Sequence, residues 1–149
     1  QGVSSAASDV YKRQPENLDD KTVAALLMKG MTAHYLANDV FPLKHGHTCL
    51  IHAGAGGVGH QLIQLAKERG AKVFTTTGNQ KKAKIAKQFG ADETILYREK
   101  DFSKSVLEIT DGEGVDVVFD SVGKATIDGS ITSTKLWVGI FVAIPTAIP

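Results

Sequence analysis

From residue 48 onward, short apolar runs alternate with amphipathic ones. The apolar or β-branched runs are 48–53 (TCLIHA), 72–77 (KVFTTT), 93–97 (ETILY), 115–120 (VDVVFD) and 136–144 (LWVGIFVAI). Between them, apolar residues recur at helical spacing: Leu62, Ile63, Leu65 and Ala66, then Ala83, Ile85, Ala86 and Phe89, then Phe102, Val106, Leu107 and Ile109. Strands alternating with helices imply βαβ units on a parallel sheet, and right-handed crossovers make that a doubly wound α/β fold. About five strands are expected, with no sixth, so the sheet reads as incomplete. Gly70 and Gly90 are placed to end the first two helices. Upstream, Leu18, Val23, Ala24, Leu26, Leu27 and Met31 predict a helix over about 18–29, with Asp19 and Asp20 at its start. Gly30 is expected to break it, and a second helical stretch to run over 32–38.

The turn after the first strand carries the most specific signal. It reads HAGAGGVGHQLIQLA, and Gly54, Gly56 and Gly59 have G-x-G-x-x-G spacing between an apolar strand and an amphipathic helix. In that context the pattern is a dinucleotide fingerprint of the Rossmann type. The first glycine is expected to permit the tight turn, the second to let backbone N–H groups approach a pyrophosphate, and the third to let helix and strand pack closely. Ala55, Gly56, Gly57 and Val58 are then expected to line the phosphates at the helix N-terminus. An NAD-binding version carries a carboxylate about 20 residues further on, for the ribose 2′-hydroxyl. Here the second strand ends in TTTGNQKK without one: Gly78 takes the acidic position and Asn79, Lys81 and Lys82 follow. A 2′-phosphate would find cations there, so NADPH is favoured over NADH.

Composition narrows the remaining choices. At 149 residues there is length for about one domain. A net charge of +1 without a long run of one sign gives no basic stripe, so nucleic-acid binding is not indicated. The single cysteine, Cys49, lies in an apolar run and reads as a small buried hydrophobe. No segment has the length of a transmembrane helix, and a cytosolic protein is the default expectation. His45 and His47 form an H-x-H pair, but zinc needs three or four convergent ligands, so no metal site is assigned. No Cys–His pair, paired carboxylates or G-x-S-x-G elbow stands out, and no catalytic residue is named.

Four stretches in order, KGMTAHYL (29–36), LIHAGAGGVG (50–59), GADETILYREKDF (90–102) and GVDVVFDSVG (114–123), resemble the zinc-independent, zeta-crystallin-like quinone oxidoreductases of the medium-chain dehydrogenase/reductase superfamily. The likeness covers nearly all of residues 15–142. It implies an NADPH-dependent enzyme, homo-oligomeric in its full-length form, that passes a hydride to a quinone or activated alkene. An enoyl reductase of the same superfamily is the nearest alternative, and a non-catalytic nucleotide- or RNA-binding module the next. The resemblance further implies that Thr32 lies near the nicotinamide and that Gly56, Gly57 and Val58 hold the pyrophosphate. It matches Gly78, Lys82 and Tyr97 to the 2′-phosphate end, and Ser121 and Val122 to positions beside the cofactor.

The chain departs from the family pattern at its end, AIPTAIP, where Pro145 stands near the position of a family glycine, and no site residue is assigned beyond Val122. The family's GroES-like domain, last strand and closing helices have no counterpart. The expected organisation is therefore a non-native or disordered leader over 1–14, a helical lead-in over 15–47 and a truncated NADP-binding domain over 48–149. As a fragment, it is expected to be inactive by itself.

Overall fold

The computed structural model describes residues 16–135 and the strand Ile140–Ala143. The expected leader, and the proline-bearing end at 144–149, lie outside the described residues. In chain order the elements are α1 (Asp20–Tyr35), β1 (Thr48–Ile51), α2 (Gly59–Glu68), β2 (Lys72–Thr77), α3 (Gln80–Gln88), β3 (Glu93–Leu96), α4 (Phe102–Ile109), β4 (Val117–Asp120), α5 (Ile127–Thr132) and β5 (Ile140–Ala143). The five strands form one parallel sheet in the order β3-β2-β1-β4-β5. The order reverses between β1 and β4, which pair through Cys49 with Val117, Leu50 with Val118 and Ile51 with Phe119. In open α/β sheets the crevice at the carboxyl ends of the strands, where the order reverses, is the natural place for a ligand.

Alternation along the strands sorts the core into two layers. Cys49, Ile51, Val73, Val117 and Phe119 point to one face, where Ala33, Leu36, Leu62, Ile63 and Ala66 cover them. Leu50, Phe74 and Val118 point to the other, against Val106 of α4 with Phe102 and Ile109 beside it. Each fully buried Val, Leu, Ile or Phe contributes about 1.5–3 kcal/mol relative to an exposed one. This apolar packing holds the strand ends in place. Cys49 is fully buried, and burial pushes its thiol well above the ordinary range, so it stays protonated and inert.

The helix boundaries follow from their caps. Asp19 accepts the amides of Lys21 and Thr22 at 3.0 Å and starts α1. Asn79 caps α3 through the Lys82 amide, and Asp101 caps α4 through Ser103 and Lys104. Gly70 and Gly90 take φ values of +75° and +105° just beyond α2 and α3, the left-handed conformation that favours glycine after a helix.

The N-terminal helices differ from expectation. Gly30 does not break α1, which runs on to Tyr35 and continues as a π-helical turn over Leu36–Val40. A Cβ at Gly30 would lie 2.9 Å from Gln61 Oε1, so the glycine leaves room beside α1 for the flexible tip of an α2 side chain. The apolar periodicity of α1 also does not mark a covered face: Leu26, Leu27, Met28 and Met31 are exposed, and within α1 Ala33 is the buried residue.

Candidate functional site

A cavity of about 470 Å³ opens at the carboxyl ends of β1, β2 and β4. His52, Ala53, Ala55 and Gly56 line it from the loop after β1. Thr76, Thr77, Gly78 and Lys82 line it from the end of β2 and the start of α3. Tyr97, Phe102, Val122, Ala125 and Thr126 close the far side. Among the described residues its walls carry one formal cation, Lys82, and no carboxylate.

The glycine loop owes its shape to space more than to backbone angle. A Cβ on Gly54 would lie 2.0 Å from Thr75 Oγ1, and one on Gly59 would lie 2.4 Å from the Ala53 carbonyl and 2.9 Å from Gly54 Cα. These two positions bring loop, strand and helix together more closely than any side chain allows. Gly54 stands inside the tight turn that links Ala53 to Gly56, although it is not the residue with left-handed backbone. The left-handed residue is Ala53, at φ +54°, and its carbonyl accepts the Gly56 amide at 2.7 Å. A Cβ on Gly56 would meet only Ala53 within 4 Å, leaving that backbone open toward the cavity.

Gly57 lies under the stem of Lys29, which reaches over from α1 so that a Cβ would sit 2.6 Å from its Cδ. Unlike α1, α3 and α4, helix α2 has no side chain capping its N-terminus. Helices leave their first N–H groups without internal partners, and those ends attract anions.

At the other end of the cavity, the Tyr97 hydroxyl stands where a Cβ on Gly78 would be 3.0 Å away. Beside it, the Thr77 hydroxyl is buried without a hydrogen-bond partner. A buried, unpaired hydroxyl costs free energy unless something satisfies it.

Of the residues singled out from the sequence, Ala55, Gly56, Gly78, Lys82, Tyr97 and Val122 line the one cavity. Gly54, Gly57 and Gly59 shape its loop. Val58 is half-buried with its side chain against the core, leaving its backbone as the part that faces the loop. Ser121 follows β4 directly but does not line the cavity, and Thr32 stays on α1, its hydroxyl donating to the Met28 carbonyl at 2.8 Å.

The structure adds a buried polar group that the motif reading missed. His52 is 2% exposed, with Nδ1 2.8 Å from Thr76 Oγ1 and Nε2 3.0 Å from Ser130 Oγ. Ser130 donates to Asp120 Oδ2 at 2.8 Å, while Asp120 Oδ1 accepts the amides of Val122 and Gly123 at 2.7 and 2.9 Å. Burial pushes the His52 ring below its ordinary value against the pull of Asp120. Burial alone would raise Asp120, but hydrogen bonds from Gly123, Thr126, Ser130 and Val122 outweigh it and keep the carboxyl ionised.

Residues 57–144 match a family model described as zinc-binding dehydrogenase. The chain belongs to the quinone oxidoreductase-like branch of these dehydrogenases. It is 46% identical over 115 residues to a 2-haloacrylate reductase from a Burkholderia species, covering 77% of this chain and 34% of the relative. It is 43% identical over 117 residues to a quinone oxidoreductase of Pseudomonas aeruginosa, covering 78% and 36%. A crystal structure of Escherichia coli quinone oxidoreductase complexed with NADPH superposes with a TM-score of 0.84 at 35% identity, covering 91% of this chain and 44% of that one. The chain thus spans about a third of the length of these curated relatives. No group of three or more His, Cys, Asp or Glu among the described residues is placed to hold a metal ion.

Proposed function

We propose that this chain is the cofactor-binding domain of an NADPH-dependent oxidoreductase that reduces a quinone or an activated alkene. The observation that carries the reading is the charge of the cavity at the end of β2. Where an NAD-binding domain presents a carboxylate to the ribose, this one presents Gly78 and the Lys82 side chain. The residues fit the dinucleotide at both ends. The open backbone at Gly56 and the uncapped start of α2 suit a diphosphate, and Lys82 with Tyr97 suits a 2′-phosphate.

When bound, the cofactor supplies a hydride from its nicotinamide ring. The chain's own residues bind and orient: Gly54 and Gly59 set the loop, Gly56 and Gly57 present backbone, and Lys82 neutralises charge. A small-molecule acceptor is in keeping with the relatives' names, a quinone oxidoreductase and a 2-haloacrylate reductase, the second of which acts on an activated alkene. No helix among the described residues is long and apolar enough to cross a membrane. A cytosolic setting belongs to the same reading, supported by the single, buried cysteine.

The test is turnover by the full-length protein, followed through NADPH oxidation. With a quinone or a halogenated acrylate as acceptor the expected result is oxidation of one NADPH per acceptor reduced. Oxidation with an enoyl thioester alone would favour the enoyl-reductase alternative.

A further inference from the structure

We infer that His52, neutral with its proton on Nε2, is a positioning residue that ties the glycine loop after β1 to the loop after β4 beside the cavity. What the tie serves rests on the cofactor-binding reading above, whereas the tie itself stands on geometry.

Asp120 Oδ2 is an acceptor and Ser130 Oγ, 2.8 Å away, gives it the one hydrogen a serine hydroxyl has. The bond between Ser130 and His52 at 3.0 Å must therefore come from the ring, so Nε2 carries the hydrogen. On the other side, Thr76 Oγ1 already accepts the Ala53 amide at 3.4 Å. In a neutral ring with its hydrogen on Nε2, Nδ1 is a bare acceptor, and the Thr76 hydroxyl 2.8 Å away donates to it. Every donor and acceptor is used once along a directed chain from the Ala53 amide through Thr76, His52 and Ser130 to Asp120.

Both ends of the chain hold a loop. Ala53 sits in the left-handed region at φ +54°, a conformation a non-glycine residue keeps only when its surroundings hold it. Asp120 Oδ1 accepts the amides of Val122 and Gly123, which start the loop that lines the opposite wall. The two loops leave adjacent strands at the point where the strand order reverses, so a bond chain across that point sets their separation.

The ring's surroundings support a neutral form. Phe102 of α4 packs edge-on at 4.8 Å, Thr76 faces it from β2 and Ser130 from α5. The ionisable group that faces it is Asp120 of β4, with Oδ2 3.9 Å from Nε2. A second proton on Nδ1 would reverse the bond to Thr76, whose oxygen would then accept from both the ring and the Ala53 amide while its own hydrogen lost Nδ1 as acceptor, so the direction of the chain would be lost.

Two readouts on the full chain test this, neither needing cofactor. Ring nitrogen NMR at pH 7 should show His52 protonated on Nε2 and bare on Nδ1. A ring protonated on Nδ1, or on both nitrogens, overturns the inference. In Thr76→Val and Ser130→Ala, hydrogen exchange at the Ala53, Val122 and Gly123 amides should quicken by about tenfold or more, with β3 unchanged, and Thr76→Ser should restore the slow exchange. Unchanged exchange in both variants also overturns it. If the variants fail to fold, the tautomer of the wild-type chain decides alone. Should the wild-type chain show the tautomer and the exchange pattern yet bind no NADPH, the cofactor reading falls and the tie stands.

Discussion

The two ends of the sheet handle polar groups in opposite ways. At the amino ends of the strands the chain closes on itself. Asp92 accepts the Val73 amide at 2.7 Å and pairs with Lys67 at 2.8 Å, while Asp116 accepts the Thr48 amide and hydroxyl and pairs with Lys135 at 2.8 Å. At the carboxyl ends the network formed by His52, Ser130 and Asp120 is satisfied internally. The surfaces around it are left open: an uncapped α2, a Gly56 without a side chain, and the Lys82 cation in a wall without carboxylates among the described residues. One end is finished by side chains and the other is shaped to be finished by a ligand. A parallel sheet makes this division natural, because all five strands point their carboxyl ends the same way.

The largest effect should come from filling the space that shapes the open end. Gly59→Val would press its side chain against the Ala53 carbonyl and the Gly54 backbone, neither of which can yield as a side chain tip could. It should destabilise the fold by about 3 kcal/mol, read as a lower urea midpoint, and abolish nucleotide binding. Gly56→Ala separates shape from function. Its Cβ would sit 3.0 Å from the Ala53 carbonyl, a tight contact but less severe than the 2.4 Å at Gly59, so stability should fall by only about 1 kcal/mol. NADPH affinity should nonetheless fall about tenfold, because the backbone can no longer approach the diphosphate.

Acid should act in two steps. The unfolded chain protonates His52 more readily than the folded one, because burial lowers its folded value. Its contribution to stability is present above the ordinary histidine value of about 6.5 and is lost as pH falls through the depressed folded value. Asp92, Asp116 and Asp120 are all held below the ordinary carboxylate range. Their contributions are present above about pH 4 and disappear as pH falls through their lowered values. Stability monitored by thermal melting should decline below about pH 6.5 and again below about pH 4. A His52→Gln variant should lose the first decline and keep the second.

The smallest effect belongs to the closed end. Lys135→Ala removes a half-exposed partner of Asp116 and should cost only about 0.5 kcal/mol, with nucleotide affinity unchanged. A change in affinity there would break the division between the two ends.

Most of the fold was legible because strand and helix periods alternate so regularly from Thr48 to Ile109. The motif also located the crevice: six residues named from the sequence line the cavity. Three features were hidden for physical reasons. The continuity of α1 was hidden because Gly30 is a helix breaker by propensity, and its actual use, admitting Gln61, is a tertiary contact. Helix α5 has six residues, IDGSIT, too few to establish a period, so Ser130 could not be placed opposite His52. Ala53 carries no mark of its left-handed backbone, since alanine seldom takes it. A signal for the histidine did exist. His52 and Asp120 stand at the carboxyl ends of two strands that a doubly wound order makes neighbours, which places two polar side chains close together beside the crevice.

The central claim is that the wall at the end of β2 is built for a 2′-phosphate. Calorimetric titration of the chain with NADPH and with NADH, repeated on Lys82→Ala, tests it most directly. NADPH should bind the wild-type chain more tightly, and Lys82→Ala should weaken NADPH by about tenfold, or about 1.4 kcal/mol, while leaving NADH unchanged. Tighter binding of NADH by the wild-type chain would contradict the account.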